Sequence, residues 1–595
     1  MKQSSRYIYL QSGIILLTGI IAYANSLYAP FQFDDLILSD MARVVARAYS
    51  GSARQVVDFS FLANHLVHGT HVFGFHLVNL LIHLGAALTL YALIHTIILA
   101  LHIGSREEAP ELRSIITFIP FASALLFVCH PIQTQAVTYI VQRYTSLATL
   151  FYLLSALAFV RARIGSLNGA SSLQIVLAGF MSFIAGVLAM RCKEIAFTLP
   201  FMLVAIEYYF FEGRLLRNRV FITGIILLLV IIPVQQVLRS GLGGIGDVLY
   251  GIEKGTREEL TYSRGDYFLT QLRVVVTYLR LLLVPVHQTL DYDYPLQKSL
   301  FTLPVLLSLV IHLLMAATSV FLLISSKRQA RVTSQQRACF RLASFGILWF
   351  YTTLMVESSV IPIVDVIFEH RLYLPSAGFF PCAASVAALC CNGESSRRYL
   401  WSSLVIVCLV LTTATVRRNT IWNDQLRLWE ENAARSPGKS RVLNNLATIL
   451  LARHRPDKAA APLLRAIEIE PGAPENLNNL GVLLDQIPTA RGRYDNGRRF
   501  LTRANTVDAR YITVWFAATR NNLGLVYEYR GQLDKAFKLY DDATSLAPNQ
   551  EYAWLNLALL ASRQGDMNRA AEAINGLKSI NPSRARALEI SIAAH

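Results

Sequence analysis

Long apolar runs, separated by short polar segments, fill the first two thirds of the chain. Eleven of these runs approach the roughly 20 apolar residues that an α-helix needs to cross a bilayer. Beyond Arg417 the segments become shorter, charged and helical in period. The pattern predicts an all-α protein, in which a polytopic membrane bundle is followed by soluble helices. The predicted spans are 7–24, 76–102, 114–130, 144–160, 173–190, 196–211, 220–238, 303–325, 338–355, 373–391 and 399–416.

Composition and charge agree with a membrane protein. Of the 595 residues 54% are apolar and 16% are charged, whereas soluble domains carry about a quarter charged residues. A net charge of +16 is also typical of nucleic-acid-binding proteins. The Lys and Arg residues, however, gather between the spans, as the positive-inside rule requires, so we expect contacts with membrane lipids and none with nucleic acid. The clusters are Lys2/Arg6, Arg161/Arg163, Arg214/Arg217/Arg219, Lys327/Arg328/Arg331/Arg337 and Arg397/Arg398.

These clusters also predict the topology. Eleven spans with a cytoplasmic N-terminus place every cluster in the cytoplasm, and they place the first loop and the C-terminal tail on the outer face. The segment 268–286 contains Arg273 and Arg280 and would invert this order if it were a span. We therefore interpret it as an interfacial or re-entrant helix. Arg417 and Arg418 are exceptions to the rule on the outer side.

The tail has an internal repeat of about 34 residues. Four prolines recur in it with gaps of 34, 77 and 34 residues, and 77 is two repeats plus a nine-residue insertion that fits 486–496. In each repeat a leucine is followed by Ala or Gly, and three repeats place Ala twelve residues further on. This is the tetratricopeptide pattern, an α-solenoid of helix pairs. The repeated positions are Pro437, Pro471, Pro548 and Pro582; Leu446, Leu480, Leu523 and Leu557; Ala447, Gly481, Gly524 and Ala558; and Ala459, Ala536 and Ala570.

The chain therefore divides into a membrane domain at 1–418, a connector at 419–436 and about four repeats at 437–595. Tetratricopeptide arrays present a concave surface that usually binds peptide. An assembly scaffold is the alternative role for such an array.

Polar residues follow several spans on the predicted outer face. Asp34 and Asp35 come directly after the first span, and acidic pairs at the mouth of a membrane domain are costly to place and are functional candidates. A helix cap or surface turn is the alternative interpretation of this pair. The other outer-face positions are His76, Asn79, His130, Arg143, Lys193, Glu194, Asp291, Asp293, Glu369, His370 and Arg371.

Four of these segments form an ordered set of motifs. They are the Asp34–Asp35 pair, the segment His130–Val137 leading to Arg143, the Lys193–Glu194 pair before a proline-containing span, and Glu369–Ser376. The set resembles that of the transmembrane and tetratricopeptide-repeat-containing protein O-mannosyltransferases and their bacterial relatives. The resemblance implies a C-type glycosyltransferase fold and a polyprenyl-phosphate-linked sugar transferred to protein hydroxyls on the outer face.

The chain departs from that pattern at three points. Gln135 and Tyr144-Thr145 stand where many relatives carry acidic residues, and about four repeats are present where animal members have more. These departures favour a bacterial inner-membrane protein with periplasmic repeats. In a eukaryote the same topology would place the repeats in the lumen of the endoplasmic reticulum.

The chemistry of such a transfer assigns roles to the acidic residues. A base must take the proton of the acceptor hydroxyl, and two neighbouring carboxylates can divide roles because their charges separate their pKa values. We expect Asp34 or Asp35 to be the base, while the other positions the acceptor or a metal. No cofactor is predicted with certainty, and a divalent cation stays open.

The leaving phosphate needs cations, because negative charge develops on it. Arg371, Arg143 and Lys193 are the candidates in that order, although each alone is also typical of an interfacial snorkelling residue. The remaining candidates for the donor phosphate and sugar are His370, His130, Glu194 and Glu369, where Glu194 has the alternative of pairing with Lys193. A weaker set, predicted for the acceptor groove, is Asp291, Asp293, His76 and Asn79.

Together these features predict an inverting membrane glycosyltransferase that moves mannose or another hexose from polyprenyl phosphate to Ser or Thr of exported proteins. The repeats would bind the acceptor polypeptide. Two alternatives remain open at this point. One is a glycosyltransferase with a lipid or glycan acceptor, and the other is a non-catalytic scaffold for envelope assembly.

Overall fold

The computed structural model describes residues 2–50, 52–103, 110–239, 262–328, 332–359, 362–390, 394–470, 473–485, 517, 520–521, 524–525, 527–528 and 531–593. These residues form helices and contain no strand. The chain divides into two compact units. The first contains Met1–Leu290 and Tyr294–Gln425, and the second contains Asp291–Asp293 and Leu426–His595.

Long apolar helices build the first unit, because helices satisfy their own backbone groups in lipid. In the described residues seven are long and apolar enough to cross a membrane, and a bent pair is an eighth candidate. The all-α membrane fold is confirmed, whereas the count of eleven spans stays a prediction. The helices are α1 Lys2–Tyr23, α2 Met41–Tyr49, α3 Gln55–His68, α4 Val72–Ile103, α5 Pro110–Cys129, α6 Thr134–Val137, α7 Arg143–Leu167, α8 Ser172–Met190, α9 Leu199–Phe210, α10 Arg219–Arg239, α11 Arg264–Leu283, α12 Leu303–Ser326, α13 Ser334–Leu354, α14 Tyr373–Leu389 and α15 Glu394–Trp422.

Burial separates central from peripheral helices. The most apolar windows of α4, α7 and α14 are 61–67% buried, whereas that of α12 is only 6% buried. A helix that is apolar all round belongs in a core or in lipid. The exposed apolar surface of α12 is therefore a lipid-facing surface.

Two irregular segments follow the first and third predicted spans. The chain bends by 51° between Thr117–Cys129 and Pro131–Val137, where proline has no amide hydrogen to continue the helix. His130 Nδ1 caps the new turn by accepting from the Ile132 N–H at 3.1 Å. The aspartate pair lies in the 3₁₀ segment Phe33–Ser39. Polar residues of both segments are thereby placed at helix ends.

The second unit consists of paired helices, as the repeat predicts. Ala447, Ala459, Ala536 and Ala558 are fully buried, and Ala570 is 2% exposed, so the small residues lie where helices pack closely. The predicted insertion at 486–496, Pro471 and Leu523 lie outside the described residues. The helices are α16 Gln425–Arg435, α17 Ser440–Ala452, α18 Pro456–Ile469, α19 Pro474–Asp485, α20 Leu533–Leu546, α21 Glu551–Arg563, α22 Met567–Lys578 and α23 Pro582–Ala593.

Candidate functional site

A cavity of about 680 Å³ lies in the first unit. Residues from the loops after several of the apolar helices line it, so distant parts of the sequence meet there. Among the described residues, its charged lining contains four carboxylates and four lysine or arginine side chains, besides one histidine. These residues are Asp34, Asp58, Glu357 and Asp365; Arg47, Arg54, Lys193 and Arg371; and His370.

Four predicted site residues are among them: Asp34, Lys193, His370 and Arg371, called here the cavity lining. Asp34 is exposed to the cavity. The Tyr139 hydroxyl donates to Asp34 Oδ2 at 2.8 Å, and the Asp34 N–H donates to the same hydroxyl at 3.2 Å. Tyr139 thus fixes one carboxylate oxygen of Asp34.

Asp35 has a different environment from its neighbour. It is 1% exposed, and its carboxylate accepts from the backbone N–H groups of Val141 at 2.7 Å and Gln32 at 3.2 Å. Burial raises the pKa of Asp35 to about 8, and the proximity of Asp34 adds to the rise, although the backbone hydrogen bonds oppose it. Asp35 therefore ties the first loop to the loop before α7.

Arg371 lies in the 3₁₀ turn Glu369–Leu372 that precedes α14. Its guanidinium donates to the carbonyls of Asp365 at 2.6 Å, Val366 at 3.2 Å and Glu357 at 3.4 Å. Its Nε is buried and has no hydrogen-bond partner among the residues that the structure describes. The carbonyls orient the guanidinium without cancelling its formal charge.

Lys193 is held by one ion pair and one hydrogen bond. Its Nζ lies 2.8 Å from Glu357 Oε1 and donates to Thr145 Oγ1 at 3.0 Å. Burial lowers the pKa of Lys193, and the charge of Glu357 opposes that shift. Burial raises the pKa of Glu357, but Lys193 and Arg371 outweigh it and leave that pKa below its ordinary value.

Glu194 does not pair with Lys193, so that alternative is wrong. It pairs with Arg54 instead, with Oε2 at 3.0 Å from the Arg54 Nη2, and both side chains are nearly half exposed. Glu194 is not among the residues that line the cavity.

His370 joins the lining through Gln135 and Phe368. Its backbone N–H donates to Gln135 Oε1 at 2.7 Å, and its Nδ1 lies 3.1 Å from the same oxygen. The imidazole stacks on the Phe368 ring with centroids 5.0 Å apart. Gln135, one of the departures from the family pattern, therefore positions a residue of the cavity.

The other predicted donor-site residues lie behind the cavity, buried and hydrogen-bonded within the unit. Arg143 is fully buried, and it donates to Asn79 Oδ1 at 2.6 Å, Asn64 Oδ1 at 2.8 Å and the Phe75 carbonyl at 3.0 Å. Its guanidinium also lies 4.4 Å from the centroid of the Phe61 ring. These partners use most of its donors.

His130 and Glu369 are similarly occupied. His130 Nε2 lies 3.2 Å from the Leu282 carbonyl, and Glu369 accepts from the Gln288 side chain and the Thr289 N–H, both at 2.8 Å. We call Asp35, Arg143, His130 and Glu369 the buried shell.

The predicted acceptor-groove residues fall in two places. His76 Nε2 lies 2.9 Å from the Ala29 carbonyl, so it ties α4 to the segment after α1. Asn79 donates to the carbonyls of Val137 and Ile140 at 3.2 and 3.1 Å and accepts from Arg143, so it supports the buried shell.

Asp291 and Asp293 belong to the second unit. Asp291 is 1% exposed and pairs with Lys439 and with Arg441, whose Nε lies 2.7 Å from Oδ2. Asp293 Oδ2 accepts from the Gly438 N–H at 3.0 Å. A role for either aspartate in acceptor binding stays a prediction.

Sequence reasoning missed Asp58, Glu357, Asp365 and Arg54. Glu357 carries a usable signal, because it is an acidic residue two positions beyond the ninth predicted span. Asp58 accepts from the Ser52 hydroxyl at 2.5 Å and from the Tyr144 hydroxyl. Arg54 is the N-cap residue of α3 and Asp58 lies in its first turn, a segment whose sequence shows no motif.

No group of three or more His, Cys, Asp or Glu side chains suited to a metal ion occurs in the part of the chain that the structure describes. The divalent cation stays open.

Comparison with known proteins gives two consistent results. Residues 517–550 and 551–584 match the tetratricopeptide repeat family. A protein O-mannosyl-transferase of Caenorhabditis elegans is 25% identical over 77% of this chain and 62% of its own length. The protein O-mannosyl-transferase TMTC3 of Mus musculus is 22% identical over 94% of this chain and 63% of its own length.

Tmtc3 of Drosophila melanogaster is 24% identical over 91% of this chain and 64% of its own length. Among solved structures, the crystal structure of MamA protein matches 29% of this chain and 88% of its own at 20% identity, with a TM-score of 0.17. The chain thus spans 62–64% of the length of these curated relatives. Over most of its length the chain is similar to the protein O-mannosyl-transferases, with tetratricopeptide repeats in its C-terminal part, and the resemblance to these proteins is confirmed.

Proposed function

We propose that the chain is an integral-membrane glycosyltransferase that moves mannose or another hexose from a polyprenyl-phosphate donor to Ser or Thr hydroxyls of exported proteins. One observation carries the proposal. An exposed carboxylate, Asp34, and two cations, Arg371 and Lys193, line the same cavity of about 680 Å³. A base and a phosphate-binding group are the two requirements of this transfer.

In the proposed reaction Asp34 accepts the proton of the acceptor hydroxyl. The hydroxyl oxygen forms a bond to the anomeric carbon while the bond from that carbon to the phosphate oxygen breaks. The bonding electrons leave with the phosphate, and the proton stays on Asp34. A single displacement of this kind inverts the anomeric configuration. Tyr139, which donates to Asp34 Oδ2, leaves the other oxygen of the carboxylate for the hydroxyl.

The leaving phosphate would bind to Arg371 and Lys193. The Arg371 guanidinium lines the cavity and donates to neutral carbonyls, so its positive charge is available to a phosphate oxygen. Lys193 shares its charge with Glu357 and would contribute less. His370, which stacks on Phe368, would contact the sugar or phosphate.

The repeats would bind the acceptor polypeptide, since such arrays usually bind peptide. We place the cavity and the repeats on the outer face of a bacterial inner membrane, with the N-terminus in the cytoplasm, because this arrangement puts the basic clusters inside.

The test uses the full chain in lipid nanodiscs, with polyprenyl-phosphate mannose as donor and Ser/Thr peptides as acceptors. We expect a one-hexose mass increase that is absent from peptides with Ala at every Ser and Thr. Transfer to lipid or glycan but not to peptide would show that the acceptor is a lipid or glycan and not a protein. No transfer to any acceptor from mannosyl or glucosyl donors, by a folded chain, would favour the scaffold hypothesis.

A further inference from the structure

A second cavity, of about 340 Å³, lies in the first unit and is formed by the ends of three helices. The C-terminal ends of α9 and α12 and the N-terminal end of α13 surround it. Its lining includes Lys327, Arg337 and Arg341 and one carboxylate, Glu212. Glu212 forms an ion pair with Arg214, which does not line the cavity; Glu212 Oε2 lies 2.9 Å from Arg214 Nη2. The cavity therefore has an excess of positive charge.

The three cations have few partners among the described residues. Lys327 donates to the Tyr208 hydroxyl at 3.2 Å, and Arg341 donates to the Tyr209 carbonyl at 3.4 Å. Arg337 Nε is buried without a hydrogen-bond partner. Arg337 and Arg341 lie one turn apart on one helix face, where like charges repel. A bound anion would relieve this repulsion.

The cavity lies at the opposite end of α13 from the candidate active site. Glu357, beyond the C-terminal end of α13, lines the first cavity, and Arg337 lies 20 positions earlier. A rise of 1.5 Å per residue makes this separation about 30 Å, which is the thickness of the hydrocarbon core of a bilayer. The second cavity therefore lies at the other membrane interface, which the charge rule makes cytoplasmic.

An apolar surface leads from this cavity into the bilayer. Phe321 is 65% exposed and Ile324 is 50% exposed on the last turns of α12, which ends at Ser326 beside Lys327. A free phosphate would use the cations alone, whereas a phospholipid would also place acyl chains on this surface.

We propose that the cavity binds the phosphate headgroup of an anionic phospholipid at the membrane face opposite the candidate active site. Arg337, Arg341 and Lys327 contact the phosphate, and the acyl chains lie along α12. Basic pockets between membrane helices bind anionic headgroups in this way. The site is independent of the proposed transferase activity, because none of its residues lines the first cavity.

Native mass spectrometry of the full chain, released from detergent with added dioleoyl phosphatidylglycerol or phosphatidylcholine, tests the proposal. We expect retention of phosphatidylglycerol over phosphatidylcholine and binding about thirtyfold weaker in the double variant Arg337→Gln plus Arg341→Gln, since each cation near an anionic surface contributes about 1 kcal/mol. Arg161→Gln plus Arg398→Gln removes the same charge from exposed positions and should bind as the wild type does. Lys327→Gln is a second variant at the cavity and should weaken binding about fivefold.

Circular dichroism checks that each variant is folded. Equal retention by the double variant and its control would overturn the proposal. Glycerol phosphate added to the protein separates a lipid site from a phosphate site. If it competes as well as phosphatidylglycerol does, the acyl chains contribute nothing and the lipid assignment is wrong.

Discussion

The cavity lining and the buried shell contain the same kinds of residue but differ in what surrounds them. Asp34 and Arg371 line a cavity, whereas Asp35 and Arg143 are buried and hydrogen-bonded to backbone or amide groups. The members of each pair are indistinguishable by residue type, and both belong to the motifs that carry the resemblance. The comparison separates residues that line the cavity, and that we propose contact the substrate, from buried residues that are hydrogen-bonded within the unit.

The largest expected effect is on catalysis by Asp34→Asn. The change removes the base while keeping the size of the side chain, so we expect transfer to fall about 10²–10⁴-fold with no loss of thermal stability. Asp35→Asn is the matched change at the neighbouring carboxyl, which is largely protonated at pH 7 because burial raises its pKa to about 8. The amide nitrogen of Asn can accept from neither Val141 nor Gln32, so we expect some loss of stability but little loss of transfer by the folded protein. The assay is hexose transfer to peptide in nanodiscs. Loss of activity in Asp35→Asn alone would reverse the roles.

Arg371→Lys should be next in size. Lysine keeps the charge but cannot donate in the planar fork of a guanidinium, so we expect kcat to fall about 10²-fold. Arg143→Lys makes the same substitution at an arginine of the buried shell. It leaves acceptors on Asn64, Asn79 and Phe75 unpaired, which costs about 1–3 kcal/mol for each unsatisfied group.

The readouts for these two variants differ. Arg143→Lys should lower the midpoint of thermal unfolding and the yield of folded protein, while the surviving fraction keeps its kcat. A folded Arg143→Lys variant whose kcat falls as far as that of Arg371→Lys would abolish the distinction between lining and shell.

The pH dependence of stability sharpens the assignment of Asp35. Its pKa is about 8 in the folded protein and about 3.8 when exposed, so the folded state binds the proton more tightly between these values. Stability should therefore fall as pH rises from about 4 to 8. Asp35→Asn removes this contribution, so its unfolding midpoint relative to wild type should rise over the same range. A constant difference between the two proteins would show that Asp35 is ionised in the folded state.

Much of the architecture and part of the site follow from sequence. Apolar run length predicts the helices, and the 34-residue period predicts the repeats. Asp34, Lys193, His370 and Arg371, which line the cavity, were predicted because they lie beside apolar spans in recognisable motifs. The side of the loop on which Asp34 and Asp35 lie could not be predicted, because it depends on the phase of one 3₁₀ turn and on the Val141 N–H.

Contacts between elements that are distant in the chain could not be predicted from the sequence either. Arg143 donates to groups on α3 and α4, more than 60 positions earlier in the chain. No local sequence pattern indicates these acceptors. Asp58 and Asp365 reach the cavity from segments that carry no motif. Such contacts depend on helix packing, which a single sequence does not specify.

The smallest expected effect is that of Glu194→Gln, which tests a residue next to the lining but outside it. Its ion pair with Arg54 is nearly half exposed, and such pairs contribute about 0–1 kcal/mol. We therefore expect kcat/KM to change by no more than about fivefold. Glu357→Gln is the matched change at the carboxylate that does pair with Lys193; it should lower kcat/KM much further, because it leaves a buried ammonium without its counter-ion. Peptide transfer assays compare the two variants side by side. Equal losses of kcat/KM would mean that Glu194 contributes to catalysis as much as Glu357 does, although it does not line the cavity.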